Sequence, residues 1–198
     1  MMADALYSID VALFRFFNGT ISNPLFDIVM PFLTDLNKQP VVLVLLAAAL
    51  AWLTVSGGKT GRIAVGLLIL TIIISDQLNS SVVKYLFERL RPCSALEGVH
   101  LLVNCGSGYS FPSSHAVNNL AGAVVLSHFY RKWTWAFMTF AGVVAFSRIS
   151  VGVHYPSDVL AGAAFGAGIG FVVLFCYHQV EKWLAKRFAG KGTHDPAS

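Results

Sequence analysis

Long apolar runs alternate with short polar stretches along this chain, and the runs predict membrane-spanning helices. A spanning helix needs about 20 mostly apolar residues. The runs that approach this length cover residues 40–56, 62–90, 113–130, 133–150 and 156–187. The pattern therefore predicts an all-α fold, a polytopic transmembrane helix bundle with five spans. The 62–90 run becomes polar towards its end, and we expect Pro92 to stop that helix.

The first 38 residues show a weaker pattern. Residues 5–17 and 24–36 are apolar but are interrupted by acidic residues, a basic residue and a proline. We predict amphipathic helices at the membrane interface here, and one broken sixth span is the alternative. The chain thus divides into an N-terminal interfacial segment (1–38), a transmembrane bundle (39–188) and a disordered cytoplasmic tail (189–198).

Composition agrees with a membrane protein. Hydrophobic residues make up 56% of the chain, charged residues 12%, and the mean hydropathy is +0.65, whereas about 25% of the residues in soluble domains are charged. The net charge is +4, but the basic residues form no tract. This scatter argues against a nucleic-acid partner.

Three polar islands interrupt the predicted bundle. They are Lys84–Pro92, Pro112–His115 and Ser147–Asp158. Ionisable groups are costly at membrane depth, so they indicate a functional site. Together the islands hold cations, two histidines, serines and a carboxylate, which is a set of groups suited to phosphate chemistry.

The loop charges predict the orientation. Lys and Arg are in excess at one end of the five spans, near residues 57–62, 131–132 and 182–191, so that end should be cytoplasmic. All three islands then lie at the opposite, outer end. Because the islands did not set this orientation, their convergence supports a shared site.

The first island contains Lys84 and Arg91, seven residues apart. This spacing is close to two helical turns, so we expect both on one helix face, where they can grip a phosphate. The alternative is that each side chain extends to lipid head groups.

Cys93 and Cys105 flank the polar loop that follows the first island. They are either bridged, if the loop faces an oxidising compartment, or unpaired thiols.

The second island opens a helix, whose free N–H groups favour an anion. Ser113 and Ser114 lie at this start, and His115 can donate a proton to a leaving oxygen. The alternative is an ordinary helix cap beside a surface histidine.

In the third island, Asp158 lies just inside a helix and can reach back to orient His154 for attack on phosphorus. Arg148 can neutralise charge that develops on the phosphoryl oxygens, and the alternative is again a cap.

The spacing of these motifs resembles the type 2 phosphatidic acid phosphatase superfamily. Lys84 and Arg91-Pro92 match its first motif, Pro112-Ser113-x-His115 its second, and Ser147-Arg148 followed by His154 and Asp158 its third. Ser114 departs from the pattern, because the family usually has Gly there. We expect this departure to alter the oxyanion site modestly without abolishing activity.

The resemblance implies a role for each site residue. His154 would be the nucleophile, Asp158 its orienting carboxylate and His115 the general acid. The phosphate would be bound by Lys84, Arg91, Ser113, Arg148 and the amide of Ser114. The family needs no metal, so no cofactor is expected.

The resulting prediction is a lipid phosphatase in a bacterial inner membrane with its active site facing the periplasm. Undecaprenyl diphosphate is the first-choice substrate, followed by phosphatidylglycerophosphate, phosphatidic acid and lipid A. Three further functions compete with hydrolysis: phosphotransfer to a lipid acceptor, non-catalytic binding of lipid phosphates, and vanadate-dependent peroxidase activity. The hydropathy argues against the peroxidase. The sequence does not indicate an oligomeric state.

Overall fold

The computed structural model describes residues 2–189, and throughout that range the regular structure is helical. The predicted tail lies outside the described residues from position 190 onward. The α-helices are α1 (Met2–Arg15), α2 (Pro24–Thr34), α3 (Pro40–Ser56), α4 (Gly58–Leu78), α5 (Lys84–Phe87), α6 (Pro92–Ala95), α7 (Ser114–Phe129), α8 (Thr134–Ser150) and α9 (Pro156–Ala189). Short π-helical turns cover Phe16–Thr20 and Asn79–Val83.

Helix α7 lies at the centre of the bundle and packs against α4, α8 and α9. Its contact with α9 is close because glycines line the facing side of α9. A Cβ atom added at Gly166 would lie 2.1 Å from the carbonyl oxygen of Val117, and Gly162 and Gly170 are similarly crowded. Small residues spaced four apart let helices approach closely in lipid, and the three glycines of α9 allow this close contact with α7.

The outer helices expose large apolar side chains. Helix α3 packs against α4 and buries none of its residues, and Val44 and Val55 are 68% and 79% exposed. Two stretches, Gly58–Ala95 and Pro156–Phe188, are long and apolar enough to cross a membrane. Helices occupy all five predicted positions, but α3, α7 and α8 have only 16 or 17 residues. Five spans therefore remain a prediction.

The predicted helix over residues 62–90 is wrong at both ends. It begins earlier, at Gly58. At its C-terminal side α5 ends at Phe87, because Glu88 adopts a left-handed conformation with φ of 44°. Pro92 does not stop this helix; it is the first residue of α6.

The N-terminal segment packs on the bundle. Helix α1 contacts α9, and α2 contacts α8. Phe14 is 1% exposed and shares a core cluster with Tyr155 and Ile149. Met30 packs in a second cluster with Val151 and Val153. Both clusters surround the segment that joins α8 to α9, so the N-terminal helices help to position that segment.

Candidate active site

His154 and Asp158 lie together where the chain passes from α8 to α9. The loop before α9 is held by the carbonyl oxygen of Arg148, which accepts hydrogen bonds from the backbone N–H groups of Val153 and His154 at 3.2 Å each. Asp158 lies in the first turn of α9, and its Oδ2 accepts a bond from the Tyr155 N–H at 2.8 Å. This places Oδ2 3.5 Å from Nδ1 of His154. The carboxylate thus reaches back to the imidazole, as the four-residue spacing predicts.

The His154 imidazole is 2% exposed. Burial lowers the pKa of His154 to about 3, and the positive charges of Arg148 and Arg91 act in the same direction, whereas Asp158 opposes them. The ring is therefore neutral near pH 7. A neutral imidazole whose Nδ1–H faces a carboxylate keeps the lone pair on Nε2 free for nucleophilic attack.

Ser110 completes the surroundings of the carboxylate, and the sequence reasoning missed it. Its hydroxyl donates a hydrogen bond to Asp158 Oδ2 and lies 3.4 Å from His154 Nδ1. Ser110 is fully buried. It comes from the loop before α7, so two separate backbone segments meet at Asp158. A serine in a polar, glycine-rich loop carries no sequence signal that would distinguish it from its neighbours.

Ser113 and Arg148 each have a buried side-chain atom that is unpaired within the described residues. The Ser113 N–H donates to the carbonyl oxygen of Asp158 at 3.0 Å, which ties the start of α7 to α9. Among the residues that the structure describes, the buried Ser113 Oγ and Arg148 Nε have no hydrogen-bond partner. Leaving such buried groups unpaired costs free energy, so both are suited to receive an anion.

The cations of the first island are held by the loop before α7. Lys84 Nζ donates to the carbonyl oxygen of Tyr109 at 2.8 Å, and Arg91 Nε donates to that of Gly108 at 2.8 Å. The two cations do not share a helix face as predicted, because the left-handed Glu88 ends α5 before Arg91. Both nevertheless lie close enough to Asp158 for their charges to interact with it.

His115 and Arg148 both contact Thr34 at the end of α2. His115 Nε2 lies 3.0 Å from the Thr34 carbonyl oxygen, and Arg148 Nη1 donates to the Thr34 hydroxyl at 2.7 Å. No hydrogen bond within the described part of the chain joins His115 directly to His154. The general-acid role of His115 therefore stays a prediction. Thr34 was missed because nothing in its local sequence indicates these distant partners.

Ser114, the departure from the family pattern, has a specific partner. Asn79, in the π-helical turn after α4, donates from Nδ2 to Ser114 Oγ at 2.8 Å. Asn79 is fully buried, so this bond satisfies a polar group that would otherwise lack a strong partner. The hydroxyl at position 114 is thus accommodated by a complementary amide.

Arg89 and Asp10 also belong to the site, and the sequence assigned neither of them a role. Arg89 donates to Asp158 Oδ1 at 2.7 Å and to Asp10 Oδ2 at 2.6 Å. Two signals were present: a basic residue in the first island and a lone acid in the apolar stretch of α1. Their pairing spans 79 residues, so no local rule connects them.

Cys93 and Cys105 form a disulfide, which decides between the bridged and unpaired states that the sequence allowed. The bridge closes the loop between Arg91 and Gly108, the two residues whose hydrogen bond holds the first island. The third cysteine, Cys176, is free and exposed on α9, in keeping with its place in an apolar run.

Known proteins resemble this chain over most of its length. The chain is 32% identical to the lipid A 4'-phosphatase of Bacteroides thetaiotaomicron over 90% of this chain and 81% of that protein. It is 34% identical to the undecaprenyl-diphosphatase BcrC of Bacillus subtilis, over 76% of this chain and 74% of that one.

A solved structure is also similar to this chain. The transmembrane PAP2-type phosphatidylglycerolphosphate phosphatase of Bacillus subtilis superimposes with a TM-score of 0.67 at 26% identity, covering 89% of this chain and 88% of that one. The model of the PAP2 superfamily matches residues 64–183, which include every motif residue from Lys84 to Asp158. From the match and the relatives together, the chain belongs to the PAP2 superfamily of membrane lipid phosphatases.

Proposed function

We propose that this protein hydrolyses a membrane lipid phosphate or diphosphate through a phosphohistidine on His154, without a metal ion. The observation that carries the proposal is the pairing at His154. On the Nδ1 side, Asp158 lies 3.5 Å away. Nearby, Ser113 Oγ and Arg148 Nε are buried donors that lack partners within the described residues. A neutral nucleophile beside donors for an anion is the arrangement that phosphoryl transfer requires.

The reaction proceeds in two steps. Nε2 of His154 attacks phosphorus while Nδ1–H donates to Asp158, and the bond to the leaving oxygen breaks. His115 gives that oxygen a proton. Water then attacks the phosphohistidine, His115 takes a proton from the water, and inorganic phosphate leaves as the N–P bond breaks.

The cations stabilise the charge in both steps. Lys84, Arg91 and Arg148 carry fixed positive charge towards the phosphoryl oxygens, and Ser113 and the amide of Ser114 add hydrogen bonds. Preorganised donors of this kind stabilise a transition state without reorganisation. These cations fill the electrostatic role that a metal ion has in other phosphatases, so EDTA should leave turnover unchanged.

Undecaprenyl diphosphate is the first-choice substrate. A similar Bacillus subtilis protein is named an undecaprenyl-diphosphatase, and a site at the outer ends of the helices suits a lipid head group. Lipid A phosphate is the second candidate, because the lipid A 4'-phosphatase of Bacteroides thetaiotaomicron matches 90% of this chain.

The active site is proposed to face the periplasm from the inner membrane. The Cys93–Cys105 disulfide supports this orientation, because such bonds persist in oxidising compartments.

Phosphate release by the purified protein tests the proposal. Undecaprenyl diphosphate, lipid A, phosphatidylglycerophosphate and phosphatidic acid would be compared in detergent, with and without EDTA. His154→Gln should be silent, and His178→Gln, on the distant half of α9, is the matched control. Equal release by the two variants would refute the nucleophile, and metal-rescued loss with EDTA would refute the metal-free mechanism. Release only when a lipid acceptor is present would indicate phosphotransfer.

Orientation has its own test. In a Cys176→Ser background, Ser107→Cys lies on the exposed loop near the site, and Lys132→Cys lies on the exposed turn after α7. A membrane-impermeant maleimide added to cells with a permeabilised outer membrane should label position 107 and spare position 132. The reverse labelling would overturn the periplasmic placement.

A further inference from the structure

Arg89 joins Asp158 to the N-terminal helix. It lies between α5 and α6, directly after the left-handed Glu88. Its Nη1 donates to Asp158 Oδ1 and to Ser157 Oγ, each at 2.7 Å, and its Nη2 donates to Asp10 Oδ2 at 2.6 Å. The guanidinium also lies 4.0 Å from the centre of the Tyr155 ring. These contacts hold the planar group from several sides.

The two oxygens of Asp158 have different partners. Oδ2 faces His154, Ser110 and the Tyr155 N–H, whereas Oδ1 faces Arg89. A carboxylate turns about a soft torsion, so the contact at Oδ1 helps to fix where Oδ2 points. Asp158 is fully buried, and a buried carboxylate needs a cation close by to remain charged. Arg89 supplies both the charge and the orientation.

Asp10 holds Arg89 and the start of α9 at once. Its Oδ1 accepts from the Ser157 N–H at 2.9 Å, and its Oδ2 accepts from Ser157 Oγ at 2.5 Å. It therefore binds the N-terminal turn of α9 as well as the guanidinium. Asp10 lies on α1 and is 8% exposed, so a helix outside the sequence motifs reaches the catalytic carboxylate through one intervening side chain.

Arg89 is poorly suited to bind phosphate. Both of its terminal nitrogens already donate to carboxylates, and its single positive charge is matched by two negative ones, on Asp10 and Asp158. By contrast, Arg148 keeps a buried Nε without a partner among the described residues. The two arginines therefore have different tasks: Arg148 faces the anion, and Arg89 faces the carboxylate.

We propose that Arg89 and Asp10 are positioning residues that set the orientation of Asp158, which makes the N-terminal helix α1 part of the catalytic unit. The inference rests on the proposed function, in which Asp158 orients His154. It assigns to α1 a part in turnover and not only in membrane attachment.

Kinetics of matched variants give the first test. Arg89→Met and Asp10→Asn should lower kcat by about 10- to 100-fold, which is the loss typical when a residue that orients a functional group is removed. KM should change less than about twofold. Arg89→Lys should recover part of kcat, because an ammonium reaches one carboxylate but lacks the planar fork. Arg15→Met is the control and should match the wild type, because Arg15 is an exposed arginine on α1, the helix that carries Asp10.

The tautomer of His154 gives a second test that does not depend on turnover. With ¹⁵N-labelled histidine, and the His154→Gln variant for assignment, wild-type His154 should be neutral with its proton on Nδ1. Asp10→Asn and Arg89→Lys should show a raised fraction with the proton on Nε2, and Arg15→Met should not.

The outcomes separate the two proposals. Unchanged kcat and tautomer in the Arg89 and Asp10 variants would overturn the inference, and so would a raised KM with kcat unchanged, because that result would make Arg89 a substrate ligand. If the wild type releases phosphate from no lipid, the proposed function fails, and the tautomer measurement still decides whether Arg89 and Asp10 position Asp158.

Discussion

Two groups of residues at the candidate site differ in how completely their polar atoms are paired. On the Nδ1 side of His154, both oxygens of Asp158 accept hydrogen bonds, from Ser110, the Tyr155 N–H and Arg89. Elsewhere at the site, Ser113 Oγ and Arg148 Nε are buried and unpartnered within residues 2–189. We call the first group the carboxylate cluster and the second the phosphate cradle.

This difference matches the two tasks of the site. A fully paired buried network is rigid and has one arrangement, which suits a group that must hold the nucleophile in one orientation. Unpaired buried donors carry a cost in the free protein, and an incoming anion removes that cost. Under the proposed function, the carboxylate cluster therefore contributes stability, whereas the phosphate cradle contributes affinity for the transition state.

Replacing the carboxylate should have the largest effect. Asp158→Asn removes the charge that keeps the His154 proton on Nδ1. It also leaves Arg89 paired with only one carboxylate, that of Asp10, among the described residues. By analogy with the carboxylate of a catalytic triad we expect kcat to fall by about 10⁴-fold. Phosphate release measures this, with Asp27→Asn as the control, because Asp27 on α2 pairs with His100 and Ser22 and not with the site residues. A loss under about tenfold would contradict the orienting role.

A pair of serines sharpens the comparison. Ser113→Ala removes an unpartnered hydroxyl from the cradle, so it should lower kcat by about 10²- to 10³-fold without lowering the unfolding temperature. Ser110→Ala removes a partner of Asp158, so it should lower kcat and also cost about 1–3 kcal/mol of unfolding free energy.

Both substitutions are made at fully buried positions, and each variant therefore controls for the other. Thermal unfolding in detergent and phosphate release would be measured on the same preparations. If Ser113→Ala destabilises the protein as much as Ser110→Ala, the distinction between cluster and cradle is wrong.

Acid should weaken the protein through His154. Burial lowers the pKa of His154 to about 3 in the folded protein, whereas an unfolded chain has the ordinary value of about 6.5. Between these values the unfolded state binds more protons, so the contribution of His154 to stability falls as pH falls, by up to about 1.4 kcal/mol per pH unit.

The pH dependence can be assigned with one variant. Unfolding temperatures between pH 4 and 7 should decrease towards acid in the wild type and less steeply in His154→Gln. Above about pH 5 His154 stays neutral, so its protonation should cause no loss of turnover there. Equal slopes for both proteins would show that other groups determine the acid sensitivity.

The smallest effect is expected at Ser114. Ser114→Gly restores the residue usual in the family but removes the acceptor of the Asn79 amide, which is buried. We expect a loss of about 1 kcal/mol of stability and little change in kcat. Combining it with Asn79→Ala should give less than the sum of the single effects, and strict additivity would argue against the pairing.

Local spacing explains why part of the site was predictable. His154 and Asp158 are four residues apart at a helix start, and that geometry alone brings the carboxylate back to the histidine. The same local reasoning failed for Lys84 and Arg91. The helix between them ends at Phe87, because Glu88 is left-handed. Glutamate rarely adopts that conformation, so no residue in this stretch signalled the break.

The N-terminal segment was the least predictable part. Asp10, Asn18 and Thr34 are buried polar residues whose partners lie far along the chain. Asn18, for example, bonds the backbone of His100 and Ser150, at separations of 82 and 132 residues. Hydropathy indicates only that such a segment is amphipathic, and it does not indicate which surface will cover its polar face.

The sequence by itself therefore determined the helical class, the positions of the long apolar helices, the family and the residues of the three motifs. Each of these depends on periodicity or on spacing within one short stretch, where backbone geometry leaves few choices. The tertiary structure alone decided that Arg89 and Ser110 contact Asp158, that Asp10 reaches Asp158 through Arg89, and that Thr34 joins His115 to Arg148. Those contacts form only after helix packing has brought distant segments together, and many packings are compatible with the same hydrophobic pattern.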